Sequence, residues 1–111
     1  MHELSLMMSI IDIALEEAEK AEARKINEIH LKIGDRAGVE IEALRFAFET
    51  VTRNTIAEEA ELSITSVPFR GECLTCGHQF ENLDFLICDR CGGIGRMISG
   101  QELLITSLDI E

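Results

Sequence analysis

Positive charge is scarce in this sequence. Its 111 residues include 10 Lys and Arg against 21 Asp and Glu, which gives a formal net charge of -11. Proteins that bind nucleic acids gain most of their affinity from Lys and Arg side chains that neutralise phosphates. We therefore expect no nucleic acid partner.

Aromatic residues and long apolar runs are also lacking. Trp and Tyr are absent and five Phe are the only aromatic residues, so aliphatic side chains must build most of the core. No apolar run approaches the ~18 residues that suggest a membrane span, and the amino terminus does not have the charged and apolar segments of a signal peptide. We expect a cytoplasmic protein that does not insert into membranes.

The residues that are present predict an α+β fold. A chain of this length has room for one domain with a modest core and an appendage. Apolar spacing predicts two helices, one from Leu4 over roughly five turns and one from Glu40 to near Asn54. Strands are predicted over residues 28–33, 61–67 and 103–108. We expect a small three-stranded sheet with both helices on one face, although the alternation of the third strand leaves its buried face ambiguous.

Residues 69–100 differ in character from the rest of the chain. They carry all four cysteines and six of the eight glycines, and they have too few core residues to fold by burial alone. We predict an α+β domain of residues 1–68 plus 101–111, with residues 69–100 as an inserted metal-binding domain. The insert is expected to resemble a zinc ribbon.

The cysteines form two Cys-x-x-Cys pairs, each followed by a glycine: Cys73 and Cys76, then Cys88 and Cys91. Two intervening residues let one turn aim both sulfurs at one ion, and the glycine lets the backbone turn away without strain. In a reducing compartment such pairs are better metal ligands than disulfides. Four thiolates suit a structural zinc ion in a closed tetrahedral site.

An iron-sulfur cluster or a redox dithiol remains an alternative for these cysteines. A redox pair is more typically a single Cys-x-x-Cys at the start of a helix, and the chain has two matched pairs. His78 lies two residues after Cys76 and is a candidate replacement ligand, but we interpret it as an exposed loop residue. We likewise assign Met7 and Met8 to core packing rather than to metal binding.

The amino terminus offers a second and chemically different donor set. In Met1-His2-Glu3 the α-amine, the His2 backbone nitrogen and the His2 imidazole can bind one ion through small fused rings, with Glu3 as a further ligand. Nitrogen-rich, square-planar sites are preferred by nickel(II) and copper(II), not by zinc. The chelate requires an unblocked α-amine, and we expect Met1 to be retained because the residue that follows it is large.

These features together resemble the HypA family of hydrogenase maturation factors, which are nickel metallochaperones. The resemblance spans nearly the whole chain and rests on four short motifs in addition to the cysteine pairs: Met1–Leu6, Gly38–Glu40, Leu44–Glu49 and Gly100–Leu103. The cysteine pairs alone are shared with many zinc ribbons, but their combination with Met-His-Glu at residue one is specific.

The resemblance implies that Met1, His2 and Glu3 bind nickel as cargo, while the four cysteines hold structural zinc that is coupled to nickel binding. It implies two partners, a GTPase of the HypB type and the large-subunit precursor of a nickel-iron hydrogenase; some relatives also serve urease. The sequence leaves open whether the protein is a monomer or a homodimer. Two departures are visible, since the family often has proline where this chain has Ile41 and Asp89. We expect both to affect turn rigidity and not ligand chemistry.

Two other functional classes compete with the nickel carrier. One is a zinc-ribbon module that binds a protein or nucleic acid and for which residues 1–3 are irrelevant. The other is a thiol oxidoreductase. We predict no enzymatic activity, because the sequence has no nucleophile-base pairing and no phosphate-binding loop.

Overall fold

The computed structural model of the chain describes residues 2–81 and 86–111. These two ranges contain two helices and six strands: α1 (His2–Lys20), β1 (Ile26–Gly34), α2 (Ile41–Val51), β2 (Glu61–Val67), β3 (Arg70–Cys73), β4 (Gln79–Phe80), β5 (Gly95–Ser99) and β6 (Leu103–Ile110). None of the helices in the described ranges is both long and apolar enough to span a membrane.

Strand β1 is the centre of a three-stranded sheet with the order β2-β1-β6. It runs parallel to β2 and antiparallel to β6, so that Ile29 lies between Leu62 and Leu108. Alternate residues Ile29, Leu31 and Ile33 are buried and belong to one apolar cluster with residues of both helices. The predicted α+β fold, with two helices on one face of a three-stranded sheet, is therefore confirmed.

Both helices bury one apolar stripe in this cluster. Five side chains of α1 and three of α2 are buried: Met7, Ile10, Ile11, Ala14 and Ala18, then Leu44, Ala47 and Phe48. Met7 is fully buried as predicted, but Met8 is 52% exposed, so its assignment to the core is wrong. One residue along a helix rotates the side chain by about 100°, which takes Met8 out of the stripe.

Helix α2 begins after Glu40, whose carboxylate accepts a hydrogen bond from the Glu42 amide at 3.3 Å. An acceptor at this position satisfies one of the amides that lack a partner in the first turn. The helix ends at Val51, three residues before the predicted end. Asn54 has a φ of 63°, which belongs to a turn rather than to a right-handed helix.

The ambiguous alternation of β6 has a structural cause. Its register with β1 shifts between His30 and Leu31, which pair with Ser107 and Ile105. Thr106 is therefore an extra residue that opposes no partner, as in a β-bulge. Apolar residues on either side of the bulge both reach the core face, so a simple period of two could not describe the strand.

The insert forms a separate small sheet with the order β4-β3-β5. Its buried apolar cluster consists of Cys73, Phe80 and Cys88 alone among the described residues. Gly71 and Gly95 lie against the Phe80 ring, because an added Cβ would lie 2.8 Å and 2.6 Å from ring atoms. Such a small cluster agrees with the prediction that burial alone does not stabilise this part of the chain.

The two sheets meet where the chain enters and leaves the insert. A Cβ on Gly34, at the end of β1, would lie only 2.0 Å from the carbonyl carbon of Gly100. The Arg36 amide donates to the Gly100 carbonyl at 2.7 Å, and its guanidinium lies 5.5 Å from the centre of the Phe69 ring. Backbone contacts and one cation–π contact thus hold the insert against the loop between β1 and α2.

Candidate metal centres

The four cysteine sulfurs form one compact cluster. The Sγ atoms of Cys73 and Cys91 are 3.5 Å apart, those of Cys76 and Cys88 are 3.7 Å apart, and all four lie within 4.8 Å of one another. A tetrahedral zinc ion with Zn–S bonds of about 2.3 Å separates its sulfurs by about 3.8 Å. The cluster therefore has the donor set and the size that fit such an ion.

Each cysteine pair lies in a turn of the same conformation. The Gly77 amide donates to the Cys73 carbonyl at 3.1 Å, and the Gly92 amide donates to the Cys88 carbonyl at 3.0 Å. Gly77 and Gly92 have φ angles of 77° and 76°, a region that favours glycine. The glycine that follows each pair in the sequence is thus required by the turn that brings the two sulfurs together.

Backbone amides point at the first sulfur of each pair. Cys73 Sγ accepts from the amides of Thr75 and Cys76 at 3.4 and 3.5 Å. Cys88 Sγ accepts from Arg90 and Cys91 at 3.3 and 3.4 Å. The amides of Cys76 and Thr75 lower the pKa of Cys73 to about 6. These hydrogen bonds favour the thiolate form that binds metal.

The pKa of Cys91 is shifted in the opposite direction. The Gly93 amide lowers it, but the neighbouring thiols of Cys73 and Cys76, together with desolvation, outweigh that amide and raise the pKa of Cys91 to about 12. Four sulfurs this close together cannot all carry a full negative charge without a cation between them. The electrostatics of the cluster therefore favour a bound cation.

His78 is not one of the clustered ligands. Its Nε2 atom lies 2.9 Å from Oδ1 of Asp89, so the pair connects the loop after the first cysteine pair to the second pair. The His78 side chain is only 26% exposed, and its interpretation as a freely exposed loop residue is wrong. Sequence reasoning missed this contact, and it treated Asp89 only as a substitution that affects the turn.

At the amino terminus, His2 is exposed and is the first residue of α1, two residues earlier than the predicted start of the helix. The carboxylate of Glu3 accepts a hydrogen bond from the Glu40 amide at 3.1 Å. This hydrogen bond is the main reason that the pKa of Glu3 is lowered. Met1, the third predicted nickel ligand, lies outside the described residues.

In the described part of the chain, His30 and His78 each have a ring nitrogen close to a carboxylate oxygen, whereas no such ion pair is found for His2. His30 faces away from the core, as predicted, and its Nε2 atom lies 3.1 Å from Oε1 of Glu28. Glu28 also accepts a hydrogen bond from the Ser63 hydroxyl. His30 therefore belongs to a polar group on the open face of the sheet.

Comparison with known proteins gives one consistent result. The family model described as "Hydrogenase/urease nickel incorporation, metallochaperone, hypA" matches residues 1–110. The chain is 40% identical over 114 residues to the hydrogenase maturation factor HypA of Caldanaerobacter subterraneus, and 42% identical over 113 residues to that of Chlorobium phaeobacteroides. Both alignments cover 100% of this chain and 100% of the relative.

Solved structures agree with the sequence relatives. The solution structure of the nickel metallochaperone HypA from Helicobacter pylori matches with a TM-score of 0.73 and 29% identity, over 97% of this chain and 96% of that one. A second solution structure, described as HypA protein, matches with a TM-score of 0.77 and 30% identity, over 100% of this chain and 97% of that one. Since the family model, full-length relatives and fold all agree, the chain belongs to the HypA family of hydrogenase maturation factors.

Proposed function

We propose that this protein carries Ni²⁺ at its amino terminus and delivers it for the maturation of a nickel-iron hydrogenase, with zinc as a resident structural ion. The observation that carries the proposal is the division of the donors into two sets. The exposed His2 begins α1 and adjoins the α-amine of Met1 in the sequence, whereas four clustered sulfurs lie in the insert. Membership of a nickel-incorporation family supports the same assignment.

The proposed nickel ligands are the Met1 amine, the backbone nitrogen and imidazole of His2, and Glu3. The first amides of a helix have no acceptor within the helix, so binding a metal through them breaks no intrahelical hydrogen bond. His2 is exposed, which lets a partner replace the ligands one at a time. A carrier needs this accessibility, because it must release its ion as well as bind it.

The proposed zinc ligands are Cys73, Cys76, Cys88 and Cys91. When bound, zinc would cross-link the two turns and supply no open position for catalysis. The free energy of zinc binding in small modules is about 10 to 16 kcal/mol, which is large compared with what the small apolar cluster of the insert can contribute. We accordingly propose residues 69–100 as a zinc-binding domain and residues 1–68 plus 101–111 as the nickel-binding domain.

The proposed partners are a HypB-type GTPase and the large-subunit precursor of the hydrogenase, in the cytoplasm. We propose that the protein is a carrier without enzymatic activity. Its net charge of -11 would favour encounters with cations and with basic surfaces of a partner.

A second candidate function, a protein-binding zinc ribbon, is favoured by one observation. Leu74 and Ile94 in the insert are 66% and 71% exposed, and the Leu74 amide donates to the Ile94 carbonyl at 3.0 Å, so the two lie side by side. Adjacent exposed apolar side chains are suited to contact with another protein. In this alternative, residues 1–3 have no role.

A calorimetric nickel titration of the zinc-loaded protein distinguishes the two candidates. The native amino terminus should bind one equivalent of nickel tightly, and a short amino-terminal extension or His2→Ala should abolish this binding. His30→Ala is the matched control, because it also removes one histidine but lies on the sheet, and it should leave nickel binding unchanged. Equal binding by the native and extended proteins would overturn the nickel assignment.

A further inference from the structure

The two cysteine turns repeat nearly the same set of hydrogen bonds. The Cys73 amide donates to the carbonyl of residue 78 at 2.9 Å, and the Cys88 amide donates to the carbonyl of residue 93 at 2.8 Å. The amides two and three residues after each first cysteine donate to its sulfur, at 3.3 to 3.5 Å. The second turn can therefore serve as an internal reference for the first.

The two turns differ in the hydrogen bond to their second sulfur. In the second turn, the Gly93 amide donates to Cys91 Sγ at 3.4 Å. The equivalent donor in the first turn would be the amide of His78, and the equivalent acceptor would be Cys76 Sγ. Within residues 2–81 and 86–111, no N–H group donates to Cys76 Sγ; its neighbours are the other sulfurs of the cluster, with Cys88 Sγ at 3.7 Å.

The difference follows from the residue types at the two positions. A Cβ on Gly93 would lie 3.2 Å from both Cys73 Sγ and Cys91 Sγ, and 3.0 Å from Thr75 Oγ1. Glycine therefore lets the backbone approach the sulfurs closely. A histidine occupies the equivalent position 78, and its side chain is held by Asp89.

Exposure separates the four sulfurs further. Cys73 and Cys88 are each 2% exposed, whereas Cys76 and Cys91 are exposed. Cys76 is thus the ligand that is both accessible and without an N–H donor among the described residues. Hydrogen bonds to a thiolate stabilise its charge and make its sulfur less nucleophilic.

We propose that Cys76 is the most reactive of the four zinc ligands. A soft electrophile would modify Cys76 first, and the modified side chain would then leave the metal. The inference rests on the proposed zinc ligands. With iodoacetamide, a lone pair of Cys76 Sγ forms a bond to the methylene carbon, and iodide leaves with the electrons of the carbon–iodine bond. The product is a neutral thioether, a much weaker ligand than a thiolate, so its departure would leave zinc held by three thiolates.

The size of the effect can be estimated from thiol chemistry. The logarithm of the rate follows the stabilisation of the thiolate with a slope of about 0.4 to 0.5, so one N–H···S bond is expected to change the rate about three- to tenfold. Cys76 should therefore react about three to ten times faster than Cys91. Cys73 and Cys88 should react later still, because they are buried and each accepts two amides.

The test uses the zinc-loaded full chain. Its zinc is first measured by mass spectrometry, and the protein is then treated briefly with a substoichiometric amount of iodoacetamide. After denaturation, N-ethylmaleimide labels the remaining thiols, and fragment ions report the carbamidomethyl fraction at each cysteine. Zinc release to a chromogenic chelator is recorded in parallel, and it should follow the modification of Cys76.

Two variants test whether the amide contact to the sulfur causes the difference in rate between Cys76 and Cys91. His78→Gly permits the missing amide contact and should slow Cys76 to about the rate of Cys91. Gly93→Ala displaces an amide from Cys91 and should raise the rate of Cys91 towards that of Cys76. Zinc-loaded wild-type protein in which Cys91, or all four cysteines equally, react first would overturn the inference. Protein that binds no zinc, or that keeps zinc after Cys73→Ser, would instead overturn the zinc assignment on which the inference rests.

Discussion

The Glu3 carboxylate accepts a hydrogen bond from the Glu40 amide at 3.1 Å, which ties the first turn of α1 to the residue that caps α2. A carboxylate at the start of a helix is also favoured by the helix dipole. Glu3 lies next to His2, so this contact restricts the segment that we propose as the nickel chelate. It also occupies one oxygen of the Glu3 carboxylate.

Glu3→Ala should therefore loosen the amino terminus, whereas Glu3→Gln should preserve much of the contact because its amide oxygen can still accept from Glu40. The direct measurement is hydrogen exchange of the Glu40 amide in the metal-free protein, followed by nickel calorimetry. We expect faster exchange and weaker nickel binding for Glu3→Ala, with Glu3→Gln close to the wild type in exchange. Equal exchange in all three proteins would show that the hydrogen bond does not hold the two helices.

Local sequence pattern predicted most of the fold. Strand β2 was predicted with its observed bounds, because Pro68 follows its apolar run and proline rarely continues a strand. The four-cysteine cluster was also predicted, since each pair depends on a turn of only a few residues. The start of α1 at His2 and the bulge at Thr106 were not predicted, because capping at a chain end and strand register depend on neighbouring elements.

The two side-chain contacts that the sequence did not predict both join segments that are separate in the sequence. Glu3 and Glu40 are 37 residues apart, and no periodicity relates them. His78 and Asp89 come together only after both cysteine turns form around one centre. Sequence spacing can identify residues that come together within one turn or strand. Contacts between residues that are distant in the sequence depend on the tertiary structure, so spacing does not predict them.

Removal of zinc should unfold the insert and leave the α+β domain intact. The insert has a buried cluster of three described residues, whereas the other cluster joins both helices and the sheet. Chelation should thus broaden the amide NMR signals of residues 69–100, with little change for β1 and α2. Cys73→Ser should give the same pattern without a chelator. A cooperative loss of all signals on chelation would contradict this division.

Substitution of Leu44 by alanine should destabilise the α+β core strongly, whereas the same substitution at a neighbouring exposed apolar residue should have little effect. Leu44 is fully buried, and Leu→Ala at such sites costs about 2 to 5 kcal/mol of unfolding free energy. Phe46, two residues along α2, is 69% exposed, so Phe46→Ala should change the free energy by no more than about 0.5 kcal/mol. Urea denaturation of the zinc-loaded variants measures both values. A loss for Phe46→Ala as large as that for Leu44→Ala would mean that Phe46 is buried in solution.

The junction between the two sheets gives the final prediction. Gly34→Ala places a Cβ 2.0 Å from the carbonyl carbon of Gly100, and backbone atoms on both sides leave no flexible side chain to move away. We expect a loss of about 3 kcal/mol or more, because the connection to the insert must shift.

Gly38→Ala is the matched control for this junction. No atom of the described residues lies within 4 Å of its added Cβ, but its φ of 77° costs the alanine about 1 to 2 kcal/mol. Thermal unfolding should rank Gly34→Ala as the less stable variant, and signals of Arg36 and Phe69 should shift in Gly34→Ala alone. If Gly38→Ala is instead the less stable variant, backbone strain in the loop contributes more to stability than the contact with Gly100. The junction would then not be the element that fixes the insert against the α+β domain.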